Sequence, residues 1–338
     1  MTASASGEPV VVAASVTYGS RVDLLIQTVE TAVRAGVEHV AVIANGVEDE
    51  TAVQLELFLQ TVPVRNARLV RLGRNGGSAV GFASAIQTAL EMKADFIWLL
   101  DDDSVVEPEA LRLLVDEASR SPDAVALGSF RSTNPWHNRV LLSGAGEANF
   151  PQPGSYMYFD LRRRIRGPGP TRPPSVSRAL PIRLPYGPYG GLFMSRSAVE
   201  MVGAPRADFV LYEDDTEYTS RFAAHGIDYR MCPGSVIGDG DRKWFESDGQ
   251  CQGSGPSQLL ASGNNVRLFY SVRNRTYFDR LRAVGLWPKM IFFLNLGIYL
   301  IVSFVTALRL KRVRAFAIFV KAVGQGLRGH LGVGPELT

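Results

Sequence analysis

Two kinds of apolar pattern alternate along the first hundred residues. Residues 10–16 form a short continuous run rich in β-branched side chains, broken by Thr17-Tyr18-Gly19-Ser20. From residue 22 to 35 the apolar positions recur at helical spacing, and Gly36 ends them. The cycle then repeats. Residues 40–44 read as a strand closed by Asn45-Gly46, a helical stretch runs to about Gln60, and residues 67–72 read as a third strand. Gly73-Arg74-Asn75-Gly76-Gly77-Ser78 opens a helix extending to Met92, and the apolar run 96–100 leads straight into Asp101-Asp102-Asp103. Strands alternating with helices predict an α/β fold, a doubly wound, mostly parallel sheet with helices on both faces. Ligands of such sheets sit beyond the carboxyl ends of the strands, where each of these turns falls.

The pattern weakens between residues 130 and 190, where prolines and glycines crowd together with the basic run Arg162-Arg163-Arg164-Ile165-Arg166. This reads as a long excursion with a few strands, too long for an idle loop. Order returns with a strand at 192–194, a helix after Asp214 and a strand near Val236, while 246–265, rich in Gly, Ser and Gln, reads as mobile. Residues 290–308 hold 19 positions without a charge, just enough for a helix rising about 1.5 Å per residue to cross a bilayer core. Basic residues flank both ends, and a single span from a cytoplasmic body would export the more basic flank. An interfacial helix followed by a second, basic amphipathic helix at 313–327 is therefore expected; a buried C-terminal helix is the plainer alternative. The expected organisation is one sheet domain at 1–245, with halves at 10–105 and 106–245. A mobile loop and helix at 246–285 and membrane-associating helices at 286–338 follow.

Charge sharpens this division. The 338 residues carry a net charge of only +3, with 46% hydrophobic and 20% charged positions. Residues 289–338 nevertheless hold seven basic residues against Glu336, a net +6, which leaves −3 for the remainder. A basic tail on a mildly acidic body points to an anionic partner such as lipid. Nucleic acid is not expected, because no aromatic interleaving or recognition module accompanies the tail. Cys232 and Cys251 have neither metal-type nor disulfide-framework spacing, which fits a reducing compartment. Residues 1–9 lack the basic flank and apolar run of a signal peptide.

Three consecutive aspartates after a buried strand are the strongest chemical signal. Asp101 and Asp103 point the same way in an extended chain, and carboxylates that close need a compensating cation or proton. Mg²⁺ or Mn²⁺ bound through carboxylates and diphosphate oxygens would supply one; the plainer reading is a solvated turn with Ser104 and Glu107 capping the next helix. A second acidic group, Glu213-Asp214-Asp215, opens a helix. Acids suit a first turn for dipole reasons alone, and the same dipole would keep a general base ionised. Asn75-Gly76-Gly77 resembles a nucleotide loop only loosely, fitting neither G-x-G-x-x-G nor a P-loop. His39, His137, His225 and His330 form no ligand spacing, and no Ser-His-Asp arrangement emerges.

Taken in order, Thr17-Tyr18, Asn45-Gly46, Arg74-Asn75-Gly76-Gly77-Ser78-Ala79-Val80-Gly81-Phe82, Asp101-Asp102-Asp103 and Glu213-Asp214-Asp215 resemble inverting family 2 glycosyltransferases of GT-A fold. The resemblance spans roughly residues 10–280. It is nearest to the bacterial branch of rhamnosyltransferases and galactofuranosyltransferases, by Trp98 to Asp103, the arginines near Arg162, and Val272-Arg273-Asn274-Arg275-Thr276-Tyr277. It implies a metal on the donor diphosphate held by Asp101 and Asp103, with Asp102 facing the nucleoside or sugar. Thr17, Arg21, Asn45, Asn75 and Gly76 would border the nucleotide sugar, and Gly190-Gly191 would let the sugars approach the backbone. Asp215 matches the base that deprotonates the acceptor hydroxyl. Relatives usually supply a metal-binding histidine where this chain has Ile237-Gly238-Asp239-Gly240; Asp239 is the natural substitute, and the alternative is that the third ligand is absent and metal binding weaker. The implied donors are UDP-galactofuranose or dTDP-rhamnose. The implied acceptor is a polyprenyl-diphosphate-linked cell-envelope glycan at the cytoplasmic face of the cell membrane. The alternatives are a nucleotidyltransferase, for which Thr17-Tyr18-Gly19-Ser20-Arg21 is a poor loop, and a catalytically inactive nucleotide-sugar-binding scaffold.

Overall fold

The structure is a computed structural model and describes residues 8–120, 124–143, 149–167, 180–240, 255–261 and 263–334. Residues 246–254 and 262 of the stretch expected to be mobile at 246–265 lie outside them. The chain forms two compact units, Met1–Leu142 with Val176–Arg206 and Tyr218–Gly240, and Ser143–Ser175 with Ala207–Glu217 and Asp241–Thr338.

In the first unit β1 (Val11–Thr17), β2 (His39–Asn45), β3 (Asn66–Leu72) and β4 (Phe96–Asp101) alternate with α1 (Val22–Arg34), α2 (Asp49–Thr61) and α3 (Gly77–Glu91). β1 is buried throughout and β2 at all but His39, because strands covered on both faces need continuous apolar runs. Val11, Ala13, Val40, Val42 and Trp98 join a core with Leu25 of α1 and Leu55 of α2. The other face is covered by α3, where Gly81 sits so close to Val16 that a side chain would collide with it. β3 is the edge strand and carries exposed Arg68 and Arg71, charges that discourage further pairing.

The sheet is completed by β5 (Ser104–Val106), β6 (Ala126–Arg131), β7 (Ile182–Arg183), β8 (Leu192–Ser195) and β9 (Tyr229–Asp239). Its order is β3-β2-β1-β4-β8-β6-β9-β5, with β7 added on β9. β5, β7 and β8 run against their neighbours and the other strands share one direction, so the sheet is mostly parallel. Ser104 lies in β5 rather than capping a helix, and α4 (Ala110–Ser119) starts later. β9 bulges: Ser129 and Phe130 are adjacent on β6 but pair with Cys232 and Val236. The extra residues re-aim the end of β9 so that Asp239 pairs with Ser104 of β5.

The 130–190 region departs from expectation. Where a few strands were expected, the described residues hold α5 (Pro135–Ser143) and α6 (Leu161–Arg166) beside the end of β6 and the two-residue β7. α5 begins with proline at its first position, where the missing N–H costs nothing, and the Asn134 side chain accepts from Trp136 N at 2.8 Å. α7 (Arg196–Val202) follows β8.

The second unit is helical. It contains α6, the start of α8 (Asp214–Ala224), α9 (Pro256–Ala261), α10 (Asn265–Arg282), α11 (Leu286–Arg309) and α12 (Val313–Arg328). Its core joins Phe269 and Val272 of α10, Phe292 and Leu296 of α11, and Phe319 and Val323 of α12. Tyr156 packs edge-on against Tyr299, with ring centroids 5.3 Å apart. α11 is the one helix among the described residues long and apolar enough to cross a membrane, with 24 residues and mean hydropathy 2.3. One of its faces is packed within this unit. Buried Asn295 accepts from Leu161 N at 3.0 Å and donates to Gly154 O at 2.8 Å. The opposite face exposes Trp287, Phe293, Ile301 and Phe304.

Candidate active site

The parallel register gathers the polar ends of the strands. Val16 pairs with Asp101 and Thr17 with Ala44, so Thr17, Asn45 and Asp101 finish their strands at one edge of the sheet. β6 runs the same way and ends there with Arg131. Gly190-Gly191 arrive at the same edge just before β8, where Gly191 N donates to Leu99 O at 2.8 Å and Ser129 N donates to Gly191 O at 2.9 Å. A side chain on Gly190 would overlap the carboxylate of Asp101 and the guanidinium of Arg131. Only glycine lets the backbone pass so close to this ion pair.

Four carboxylates and two guanidinium groups share this edge. Arg21, in the turn before α1, donates through Nε to both oxygens of Asp102 at 3.0 Å and through Nη2 to Asp103 at 3.2 Å. Thr17 Oγ1 adds a third contact to Asp102 at 3.0 Å. Asp102 therefore faces the first βα turn and is fixed there. Arg131 donates through Nη1 to Asp101 at 2.6 Å, and its Nη2 pairs with Asp239. The second oxygen of Asp239 accepts from Thr133. Asp239 lies in the same carboxylate group, and both of its oxygens are engaged by protein donors.

This cluster carries an excess of acid. With all groups ionised, Asp101, Asp102, Asp103 and Asp239 outweigh Arg21 and Arg131 by two negative charges. Burial, then the neighbouring charges of Asp101, Asp102 and Asp239, push the Asp103 carboxyl up to about 7, against the pull of Arg131. Asp102 is also raised, by burial, despite Arg21 and Thr17. A divalent cation would balance the excess, and hard carboxylate oxygens are the donors that Mg²⁺ and Mn²⁺ take. By donor chemistry and charge the residues fit such an ion. Among the described residues no three acidic, histidine or cysteine side chains converge on one point, and Arg131 pairs with both Asp101 and Asp239.

The glycine loop is shaped by Asn45. Its side chain accepts from Gly76 N at 2.9 Å and donates to Gly77 O at 3.0 Å. Asn75 folds back to accept from Gly77 N at 2.9 Å. Gly46 has φ +69°, and a side chain there would strike the backbone of Asn75. The amide of Asn45 is thus engaged in holding the loop that ends at the N-terminus of α3, where backbone N–H groups favour an anion.

Asp215 belongs to the second unit and lies in the first turn of α8. Its carboxylate accepts from the backbone N–H of Thr216 at 2.6 Å. The residue just before α8, Glu213, is half-buried and ion-paired with buried Arg275 at 3.2 Å. Burial raises its carboxyl above the ordinary range against the attraction of Arg275.

Sequence reasoning missed Arg131 altogether. The available signal was an arginine closing a strand-length run, Ala126–Arg131, all of it buried. Arg273-Asn274-Arg275 lies in a segment whose sequence carries a resemblance and no individual role. His137, one of the four histidines without ligand spacing, is buried and accepts from Arg131 N through Nδ1 at 2.9 Å.

These features define a mixed α/β fold of the GT-A type, with a polar cluster at the carboxyl edge of its sheet. Residues 14–169 match the model of the family described as Glycosyl transferase family 2. A search of the curated proteins found no significant match. Among solved structures, the chain is similar to the mannosyltransferase PcManGT from Pyrobaculum calidifontis in complex with GDP-Man and Mn²⁺. That likeness has 15% identity, 95% of this chain, 88% of that chain and a TM-score of 0.50. It is also similar to GalNAc-T7 with UDP, GalNAc and Mn²⁺, at 15% identity over 97% of this chain and 59% of that one, with a TM-score of 0.49. The first likeness is one of fold.

Proposed function

We propose that the protein is an inverting glycosyltransferase that moves a sugar from a nucleoside diphosphate donor to a polyprenyl-diphosphate-linked glycan. The observation that supports this most is the cluster of buried Thr17, Asp102 and Asp103 with half-buried Asp101 and Arg21 at the carboxyl edge of a mostly parallel sheet. The match of residues 14–169 to the family 2 model adds to it.

In this reading Thr17, Arg21 and Asp102 hold the nucleoside side of the donor, and the loop of Asn75 and Gly76, shaped by Asn45, borders it. Gly190 and Gly191 leave room for the sugars against the backbone. Asp101 and Asp103 would hold Mg²⁺ or Mn²⁺, with Asp239 as the proposed third ligand. Such an ion supplies positive charge to the departing diphosphate. Asp215 takes the proton from the acceptor hydroxyl as that oxygen attacks the anomeric carbon from the side opposite the leaving group, which inverts the centre. The helix dipole of α8 favours its ionised form, as a general base requires. UDP-galactofuranose is placed ahead of dTDP-rhamnose on the branch resemblance alone.

The acceptor class sets the location. A polyprenyl carrier keeps its diphosphate at a membrane surface, and α11 presents an apolar face beside a basic flank of Arg309, Lys311 and Arg312. In this reading α11 and α12 lie on the cytoplasmic face of the membrane rather than crossing it, because one side of α11 is already packed within its own unit. The test is nucleoside diphosphate release by the purified full chain across a panel of nucleotide sugars. Release from one of them, dependent on added Mg²⁺ or Mn²⁺, supports the reading. Release from none leaves a nucleotide-sugar-binding protein without transferase activity.

A further inference from the structure

α10 carries a buried polar stripe. Arg273, Asn274, Arg275, Thr276 and Asp279 are each no more than 2% exposed. Burying two guanidinium groups and a carboxylate is costly unless every one is satisfied, and packing alone would be served as well by apolar side chains. The partners of this stripe show what it holds.

Asn274 directs its Nδ2 at three backbone carbonyls, Phe209 O, Leu211 O and Tyr212 O, at 2.9, 2.8 and 2.9 Å. Arg273 reaches Phe209 O as well, at 3.1 Å. Arg275 donates to Glu213 and pairs with Asp279 at 3.0 Å, and Asp279 accepts from Met157 N at 2.9 Å. Two turns are therefore fastened to one helix, and both are strained. Of the seven non-glycine residues with positive φ among the described residues, Val210, Tyr212 and Glu213 lie on one of these turns, and Met157 and Tyr158 on the other. Such conformations persist only where their surroundings over-determine them, and they concentrate at functional sites.

The first turn leads directly into α8. Glu217 N donates to Glu213 O at 2.9 Å, the opening bond of that helix. The peptide of Glu213 therefore sets the phase of the first turn of α8, in which Asp215 sits two residues later. We infer that Asn274 and Arg275 are positioning residues for sugar transfer: they hold the left-handed turn Val210–Glu213 and through it aim the Asp215 carboxylate. This rests on Asp215 being the base of the proposed reaction. A misdirection on the order of 1 Å at a reacting group lowers rates by about a hundredfold.

The experiment compares Asn274→Ala, Glu213→Gln and Asp215→Asn in the full chain. UDP release from UDP-galactofuranose is measured with a polyprenyl-diphosphate-linked glycan, and active sites are counted by calorimetric titration with UDP. Glu213→Gln is nearly isosteric and keeps an oxygen for Arg275, so it reports even if Asn274→Ala folds poorly. The inference predicts a kcat per UDP-binding site at least about tenfold lower for Asn274→Ala and several-fold lower for Glu213→Gln, with the donor KM within about twofold of wild type. Loss of folded protein alone would reduce the number of sites and leave kcat per site intact. If Asp215→Asn is inactive while both clamp variants keep wild-type kcat per site, the clamp inference is overturned and the base assignment stands. If Asp215→Asn keeps its kcat, the base assignment falls and the inference falls with it.

Discussion

Arg131 and Asp101 form a 2.6 Å ion pair at the ends of β6 and β4, and the same guanidinium reaches Asp239 at the end of β9. An internal cation thus occupies the position between two of the three carboxylates proposed as metal ligands. Removing it leaves half-buried Asp101 without its cation and buried Asp239 with Thr133 alone, which costs about 3 kcal/mol. Arg131→Met is expected to lose stability of that order in metal-free buffer and to regain more of it than wild type on adding Mn²⁺. Thermal unfolding of both proteins with and without the ion checks this. Equal Mn²⁺-induced shifts would show that the ion and the guanidinium do not compete for the same carboxylates.

Asn45 satisfies two backbone groups of the glycine loop with one buried amide. Asn45→Ala leaves both without their partner, at a cost of about 1–3 kcal/mol for an unsatisfied buried group. The expected result is that loss in denaturant unfolding together with roughly tenfold weaker UDP binding by calorimetry. Unchanged UDP affinity in the folded variant would separate the loop from the nucleotide.

His137 makes the fold acid-sensitive. Burial, and to a lesser extent the charge of Arg131, push its imidazole down to about 3 from an ordinary value of 6.5. Below pH 6.5 the unfolded chain binds a proton that the folded chain refuses until about pH 3. Stability from this group is therefore complete above pH 6.5 and falls as the pH drops through that window, by about 1.4 kcal/mol per unit. At pH 5 the loss is about 2 kcal/mol. His137→Gln, which keeps an acceptor for Arg131 N, should lose correspondingly less between pH 7 and pH 5 in chemical denaturation.

The exposed face of α11 is expected to bind lipid. Phe293 and Ile301 are 56% and 66% exposed, and burying each is worth about 1.5–3 kcal/mol. Phe293→Asp with Ile301→Asp should weaken sedimentation with anionic vesicles by more than tenfold. Neutralising Arg309, Lys311 and Arg312 should weaken it by about fivefold per charge, an effect that added salt removes. Vesicle binding unchanged in both variants would place the membrane contact elsewhere.

The first hundred residues were legible because central parallel strands need unbroken apolar runs, and those of β1, β2 and β4 end within a residue or so of the expected boundaries. The carboxyl-edge rule then pointed to Thr17, Asn45 and Asp101 without coordinates. α5 is hidden because Asn134-Pro135 opens a stretch crowded with prolines and glycines, although asparagine followed by proline is also how a helix begins. Arg131 was invisible for a different reason. Its importance comes from a register between β6 and β9 that includes a bulge, and neither pairing nor bulge is written in local periodicity. The same holds for Asn274, whose partners lie more than sixty residues away.

The central claim is that Asp103 and a divalent cation act together on a nucleotide-sugar donor. Its most direct test is UDP release from UDP-galactofuranose by the purified full chain, titrated with Mn²⁺, for wild type and Asp103→Ala. The account predicts saturable Mn²⁺ dependence in wild type and a rate at least about a hundredfold lower in the variant at every Mn²⁺ concentration. Equal release with and without Mn²⁺, or a variant that matches wild type, would contradict it.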